Sequence, residues 1–397
     1  MANTNLINDI VLKDGMVHFR NNTVLTNALK PTYDDSYQFK GAKAGESVRI
    51  QTPQEFSTRS TFTANVQDVE QKAVTLTRSV VRGIDIRFSS AEMTEDNVDG
   101  FIQNKVAPAM STLAAEVDNT IYQNLISGVS QAVALPVTAV DRVDILNAGI
   151  KLDNGTAPRD GQRTVILNPQ GMGDVTNDSS GLFNAAPNVS QQYRDGIVSI
   201  PSMGFNFGMS QNVSTHTTGG YDANYAVKTA STSGDETLDV DTGTGTITAG
   251  DVFTIDTVFE VNPNTKQSTG KLKQFSVTAA SAGGDVILAI QPAIISTGPY
   301  QNVDSLPAVN DAITFIGTAS TAYPQSLAFH PSFAAVGFCD LNIPRSAVWG
   351  DRKVEDGISM RCIEWYDGIN DQEYLRFDVL FGSQVVVDRY ACRIYSF

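Results

Sequence analysis

Histidine and cysteine are scarce, with three of each in 397 residues. His18, His216 and His330 each stand alone, and there is no His-Glu-x-x-His pair, which excludes a metalloprotease helix. Cys339, Cys362 and Cys392 are odd in number, widely spaced and form no Cys-x-x-Cys pair. Buried, reduced thiols are therefore expected rather than a disulfide framework or a zinc site. Charge is sparse too, at 18% of residues. That is little for a monomer whose whole surface is wet, and it fits a surface consumed by contacts; a β-rich chain full of Thr, Ser and Asn has the same look. Basic residues are outnumbered, 28 Lys and Arg against 43 Asp and Glu. A nucleic-acid reader usually has the opposite balance, although an acidic wall can enclose DNA without gripping it. No run approaches the roughly 18 apolar residues of a membrane span. The first ten residues carry neither a basic flank nor an apolar core of signal-peptide length. A cytosolic protein with no membrane partner is expected.

Catalytic signatures are missing as well. The nearest approach to a Gly-x-Ser-x-Gly elbow, Gly208-Met-Ser-Gln-Asn212, lacks the second glycine, and no phosphate-binding Gly-x-x-x-x-Gly-Lys-Ser/Thr loop occurs. Gly171-Met-Gly-Asp-Val-Thr-Asn177 follows a strand pattern but has no third glycine at dinucleotide spacing. Gly243-Thr-Gly-Thr-Ile-Thr-Ala-Gly250 lies among strands, where no helix N-terminus could hold a pyrophosphate. Both clusters read as turns. Asp239-Val-Asp241 starts like a calcium loop, but Thr242-Gly243 breaks the ligand pattern. Asp34-Asp35 reads as solvated surface, and the sequence alone places no two carboxylates across a cleft, which leaves glycosidase chemistry open but unsupported. The expectation is no catalytic residue, no cofactor and no metal.

What is present is pattern. Apolar clusters at Leu6, Ile7, Ile10, Val11 and Leu12, then Val24, Leu25, Ala28 and Leu29, predict one or two short helices ending before Pro31. Ser47–Thr52 and Ala73–Val80 alternate as strands, with a polar stretch from Pro53 to Gln71 between them. So long a connection in a compact domain suggests reach toward a partner. Thr94-Glu-Asp opens a helical stripe through Val98, Ile102, Val106, Met110, Leu113, Val117, Ile121 and Leu125, with Pro108 restarting it near Ala107. A shorter helix is expected over 141–153 on Val143, Leu146, Ile150 and Leu152, a strand over Thr164–Asn168, and a helical or turn-rich segment over 170–193. From Tyr221 to Ala322 the chain turns rich in Thr, Ser, Gly and Asp, with short strands such as Asp251–Asp256, Gln274–Thr278 and Val286–Ile290. That spacing predicts a small barrel or sandwich inserted into its host, with mixed helix and strand resuming after Pro324. Tyr374–Gly382 and Gln384–Val387 are expected to pair as strands around Gly382.

The order of these elements resembles the Hong Kong 97-like capsid fold of tailed phages. With its inserted β domain, the chain is similar to the coat proteins of short-tailed Salmonella-type phages. The stretches that carry the resemblance are Tyr33-Asp-Asp35 with Gly41–Gly45 and Val48–Ile50, and Phe205–Phe207 with Gln211–Val213 and His216-Thr217. Ala249–Ile255 with Val261–Lys266, Gly270 and Gln274–Thr278 continues the series, and Arg376–Gly382 with Ala391–Ile394 closes it. Where such proteins often have Pro-Glu before the last Ala-Cys, this chain has Asp388-Arg389-Tyr390, which puts the local turn in doubt.

The resemblance implies an α+β fold with an N-terminal arm over 1–36, an extended loop and flanking strands over 37–88, and a peripheral domain with a spine helix over 89–130. It places the first part of an axial domain over 131–220, an inserted β-barrel domain over 221–322, the axial return over 323–350, and closing strands over 351–397. It implies a major capsid protein that forms pentamers and hexamers of an icosahedral shell around double-stranded DNA, assembled in the host cytoplasm. Its implied partners are copies of itself, a scaffolding protein, a portal protein, a decoration protein and non-specifically held DNA, with the arm as the scaffold's docking point. Arg49, Glu55 and Arg59 on the extended loop, and Lys266, Lys271 and Lys273 on a loop spanning Asn262–Lys273, are candidate inter-subunit contacts; solvated charge is the alternative for each. A nanocompartment shell protein of the same fold, a β-rich tail or adhesin component and a carbohydrate-active enzyme are the rival readings.

Overall fold

The computed structural model describes residues 4–29, 32–33, 47–56, 58, 62–63, 66, 72–89, 102–133, 139–178 and 202–395. Arg59, the helix start at Thr94, and residues 179–193 of the turn-rich segment lie outside the described residues. The chain begins with helices α1 (Thr4–Asn22) and α2 (Leu25–Leu29), the short strand β1 (Thr32–Tyr33), and a paired β2 (Ser47–Gln51) and β3 (Ala73–Thr77). Strand β4 (Val80–Ser89) precedes a π turn over Ile102–Val106, and α3 (Ala107–Ile126) restarts at Ala107. Pro108 causes that restart: it has no N–H to donate, and its ring crowds the carbonyl four residues earlier, so the ladder widens.

Next come β5 (Ala132–Val133), α4 (Arg142–Asn154), β6 (Thr164–Leu167), α5 (Pro169–Asp178), β7 (Asn206–Met209) and β8 (Thr215–Thr217). Six strands follow with no helix between them: β9 (Ala226–Val227), β10 (Asp235–Asp241), β11 (Val252–Val261), β12 (Ser268–Val277), β13 (Val286–Ile294) and β14 (Ile313–Phe315). The remainder is β15 (Ala322–Phe329), β16 (Ala334–Cys339), β17 (Trp349–Glu355), β18 (Ile358–Asp367), β19 (Gln372–Val385) and β20 (Ala391–Tyr395). Among its described residues the helical pieces are 3-10 turns at Pro331–Phe333 and Asp388–Tyr390, so the mixture expected after Pro324 is in fact nearly all strand.

Two compact units result, one from Met1–Ile50, Thr75–Tyr122 and Ala335–Gln384, the other from Gln51–Val74, Gln123–Ala334 and Val385–Phe397. In the first, a sheet ordered β1-β16-β19-β18-β17 carries β4 on β19. Phe338, Met360, Phe377, Val379 and Phe381 make its buried layer. Helix α1 is a single 19-residue helix, longer than its apolar clusters suggest, and buries Val11, Leu12, Met16 and Phe19. Asp118 of α3 receives the start of α2: Val24 N–H donates to it over 2.6 Å, and Leu25 and Thr26 N–H each over 3.2 Å.

Gly382 is not a turn. Strand β19 runs straight through it and pairs with both β18 and β4. A Cβ there would meet the Thr77 carbonyl and lie 3.0 Å from Arg78 Cα, so the bare glycine is what admits the β3–β4 connection against the strand. Alternation alone cannot separate a hairpin glycine from a close-approach glycine.

In the second unit, β5-β20-β15-β6-β7 form one sheet, with β8 pairing β15. Helix α4 starts at a capping box: Asp141 accepts Asp144 N–H over 2.9 Å, and Asp144 accepts Asp141 N–H over 3.0 Å. Its buried face is Ile145, Ala148 and Leu152, whereas Val143, Leu146 and Ile150 are 53%, 47% and 44% exposed. The expected stripe was thus one face off, sharing only Leu152, because small Ala148 occupies the core side. Gly171 and Gly173 lie within α5 rather than in a turn. Asn168 accepts Gly171 N–H over 2.9 Å and Pro169 takes the first helical position, a helix start that the glycines masked.

Burial, working against the Asp141 N–H that it accepts, raises the Asp144 carboxyl to about 6, and the nearby Asp141 and Asp178 carboxylates add to the rise. A carboxyl raised in the folded state keeps its proton where the unfolded chain has lost it. Its contribution to stability therefore falls as pH rises from the ordinary aspartate range to about 6, and is level above. Asp144→Asn is expected to flatten that slope in urea midpoints measured from about pH 4 to about pH 7. Identical slopes in the two proteins would remove the assignment.

The six strands β9–β14 form a second sheet, ordered β14-β11-β12-β13-β10-β9. Its two ends are joined by Val227 N–H to Asp311 O at 2.9 Å, Asn310 N–H to Val227 O at 2.8 Å and Ile313 N–H to Tyr225 O at 2.8 Å, so the sheet closes on itself. Closure leaves no free edge and encloses Tyr225, Val240, Phe253, Phe275, Leu288, Ile313 and Phe315. The chain leaves for this sheet from β8 and returns in β15, and those strands are antiparallel neighbours with Thr217 opposite Ala322. Thr218 N–H donates to Thr321 O over 3.0 Å and Ser320 N–H to Gly219 O over 2.9 Å, zipping the outgoing and incoming segments together.

Candidate functional site

Glu55 sits just past β2 and is 12% exposed. One carboxylate oxygen lies 3.0 Å from Lys266 Nζ, and the other accepts from Arg389 Nη1. Lys266 occupies the β11–β12 turn at φ 57°, presented by a local scaffold in which Asn262 Oδ1 accepts Asn264 and Thr265 N–H over 2.9 and 3.1 Å. Its ammonium also donates to Pro299 O. Three charges meet here with little water, so their mutual attraction is screened far less than on an open surface.

The other candidates scatter. Arg49 is exposed on β2. Strand β12 begins at Ser268, so the presumed loop to Lys273 is really a turn ending near Gln267, and Lys271 and Lys273 stand on a strand. Lys271 is exposed, whereas Lys273 is buried 3.4 Å from Glu260. Of the three lysines, Lys266 and Lys273 thus have carboxylate partners inside their own chain.

Several important polar residues give no signal in the sequence, because a buried charge and a solvated one are written with the same letter. Arg393 on β20 is 1% exposed and donates to Val129 O at 2.8 Å, Gly250 O at 2.8 Å, Gln325 Oε1 at 3.2 Å and Ser276 Oγ at 3.2 Å. Lys151 of α4 reaches Gln274 Oε1 at 2.8 Å, and burial holds its ammonium below the usual lysine range. Asp251, at the mouth of β11, accepts from Thr248 N–H at 2.7 Å and Gly219 N–H at 3.1 Å and lies 2.8 Å from His216 Nε2. These groups tie the closed sheet to β8, β15 and β20.

A cleft of about 650 Å³ opens beside α4, lined by Leu146, Ile150, Met203 and Phe205, with Arg159 bound to Asp153 at its rim. No group of three metal-binding side chains gathers among the described residues. Burial pushes the Cys362 thiol up, and that of Cys392 up to about 11, which leaves both poor nucleophiles. No helix among the described residues is long and apolar enough to cross a membrane.

Comparison with known proteins places the chain among the capsid proteins of tailed phages. At 22% identity it matches the major capsid protein of Acyrthosiphon pisum secondary endosymbiont phage 1, covering 94% of each chain. Among solved structures it is similar to Mycobacterium phage Che8 (TM-score 0.47, 13% identity, 94% of this chain and 90% of that one). The capsid structure of Cyanophage P-SCSP1u is another neighbour (TM-score 0.46, 10% identity, 93% of this chain and 86% of that one). The family described as P22 coat protein - gene protein 5 matches residues 1–389, and the chain belongs to that family. It is a tailed-phage major capsid protein and part of the virion.

Proposed function

We propose that the chain takes the Hong Kong 97-like arrangement, carries residues 221–322 as an inserted β-barrel domain, and builds an icosahedral shell of pentamers and hexamers around double-stranded DNA. The observation that carries this reading is the β8–β15 pairing. A closed sheet hangs between two adjacent strands of a continuous host sheet, as an insertion must. Assembly takes place in the host cytoplasm on a scaffolding protein, with a portal protein and a decoration protein as further partners. The DNA is held without sequence preference, which suits an acidic chain of net charge −15.

Within the arm, 1–36, helices α1 and α2 bury Val11, Leu12, Met16, Phe19, Leu25 and Leu29, so the scaffold meets the outward side of α1, where Ile10 and Val17 are exposed. The extended loop within 37–88 lies against a neighbouring subunit. Exposed Arg49 and Lys271 are the described candidates best placed to meet another copy, and Arg59 stays a candidate contact from the sequence alone. The body comprises 89–130, 131–220, 323–350 and 351–397, and the chain does its work by geometry, with no catalytic step and no cofactor. Heterologous contacts repeated around closed rings turn one sequence into a shell. Negative-stain electron microscopy of the expressed chain, with and without a scaffolding protein, tests this. Closed shells are expected; a persistent soluble monomer with glycan-hydrolysing activity would overturn it.

A further inference from the structure

The closed sheet touches both limbs of the extended segment, and it does so through two of its own loops. On the outgoing limb, Glu55 is held by Lys266 from the β11–β12 turn, with Arg389 on its other oxygen. On the returning limb, Lys72 Nζ stands 4.0 Å from the centre of the Tyr300 ring, in the loop after β13. The two loops are themselves joined, because the Lys266 ammonium also donates to Pro299 O. The limbs are joined as well, by Thr52 N–H to Lys72 O at 3.0 Å and Thr52 Oγ1 to the same oxygen at 3.1 Å.

Neither loop is slack. The first is shaped by the Asn262 turn, with Lys266 N–H donating to Asn262 O over 2.9 Å. In the second, Asn302 braces the strand end, accepting Ile295 N–H over 2.9 Å and donating to Ala293 O over 2.7 Å. Glu55 and Lys266 are 12% and 13% exposed, so neither charge can leave the other without being stranded away from water.

We propose that the closed sheet is a clamp on the extended segment of its own chain, gripping one limb through Glu55 and the other through Lys72. It thereby fixes the two points between which the intervening residues run. What this means for assembly rests on the reading that the segment meets a neighbouring subunit: a clamped segment is presented in one direction, without the ordering entropy that a loose one must lose on contact.

Hydrogen–deuterium exchange of the full-length chain tests the clamp. Glu55→Gln leaves Lys266 and Arg389 facing each other, and exchange in peptides covering 51–56 and 72–76 is expected to rise about tenfold while β10 and β13 stay protected. Lys266→Met should give the same pattern, and the double variant should add little to either single change. Tyr300→Leu, which disturbs no charge pair, should loosen the 72–76 peptide by a few-fold; it decides the matter if the charge variants fail to fold. Wild-type exchange in these peptides, in Tyr300→Leu and in whichever charge variants fold, overturns the proposal. If the segment loosens and assembly with scaffold becomes slow or irregular, both ideas stand. If it loosens and shells form normally, the clamp stands and the contact with a neighbour falls.

Discussion

Arg393→Met is expected to remove about 3–5 kcal/mol of stability, the largest effect of any single substitution considered for this chain. The guanidinium donates to two backbone carbonyls, Val129 O and Gly250 O, and to Gln325 and Ser276, all with essentially no solvent contact. Methionine fills a similar volume but donates nothing, so two carbonyls lose their partners where no water reaches them. Lysine should rescue little, since one ammonium cannot reproduce a planar fork aimed at four acceptors. Urea unfolding of the full chain measures the loss. A variant within about 1 kcal/mol of the parent would mean that the site relaxes or admits water, and that the fork holds less than its geometry suggests.

Asp118→Ala is expected to cost about 3 kcal/mol and to unravel α2. The carboxylate is 1% exposed and takes the N–H of Val24, just before that short helix, those of its first two residues, Leu25 and Thr26, and the Thr26 hydroxyl, at 2.5 Å. Burial pushes the carboxyl above the ordinary range while those four donors oppose the shift. Alanine leaves three amides with no acceptor, and five residues are too few to hold a helix by propensity. Asparagine should fall between, because its amide nitrogen must turn toward one of the same donors. Amide exchange over 24–29 separates the local effect from the global one: faster exchange there, beyond what the loss in global stability accounts for, is expected. Unchanged exchange would mean that α2 is held by Leu25 and Leu29 alone.

The parts of the fold legible in the sequence are those whose cause is local. Pro108 announces the restart at Ala107, and the alternation around Val48 and Leu76 announces β2 and β3. The turn residues between Tyr221 and Ala322 announce a run of short strands. What was missed depends on partners far away along the chain. Val143, Leu146 and Ile150 have the right spacing for a core face, yet the packed face of α4 is Ile145, Ala148 and Leu152. Gly382 looks like a hairpin turn until the backbone of Thr77 and Arg78 is set against it. Glu55 and Lys266 both read as charges seeking a partner, and nothing in the 210 residues between them says that each is the other's. The family resemblance was legible for a different reason: it rested on the order of many weak stretches, which survives when single contacts cannot be read.

The joint between β8 and β15 also bears on the order in which the chain can fold. Bringing those two strands into register closes a loop of about a hundred residues where a simple hairpin would close about four. An unstructured loop of that length would set the pairing back by about 3 kcal/mol, at roughly 0.6 kcal/mol per doubling. A closed sheet that has already folded, with Gly219 and Ser320 drawn together, removes nearly all of that penalty, because its two ends arrive side by side. The host sheet then meets what is in effect a tight turn a hundred residues long. On loop-closure grounds alone, β8 and β15 pair most readily once the sheet between them has folded.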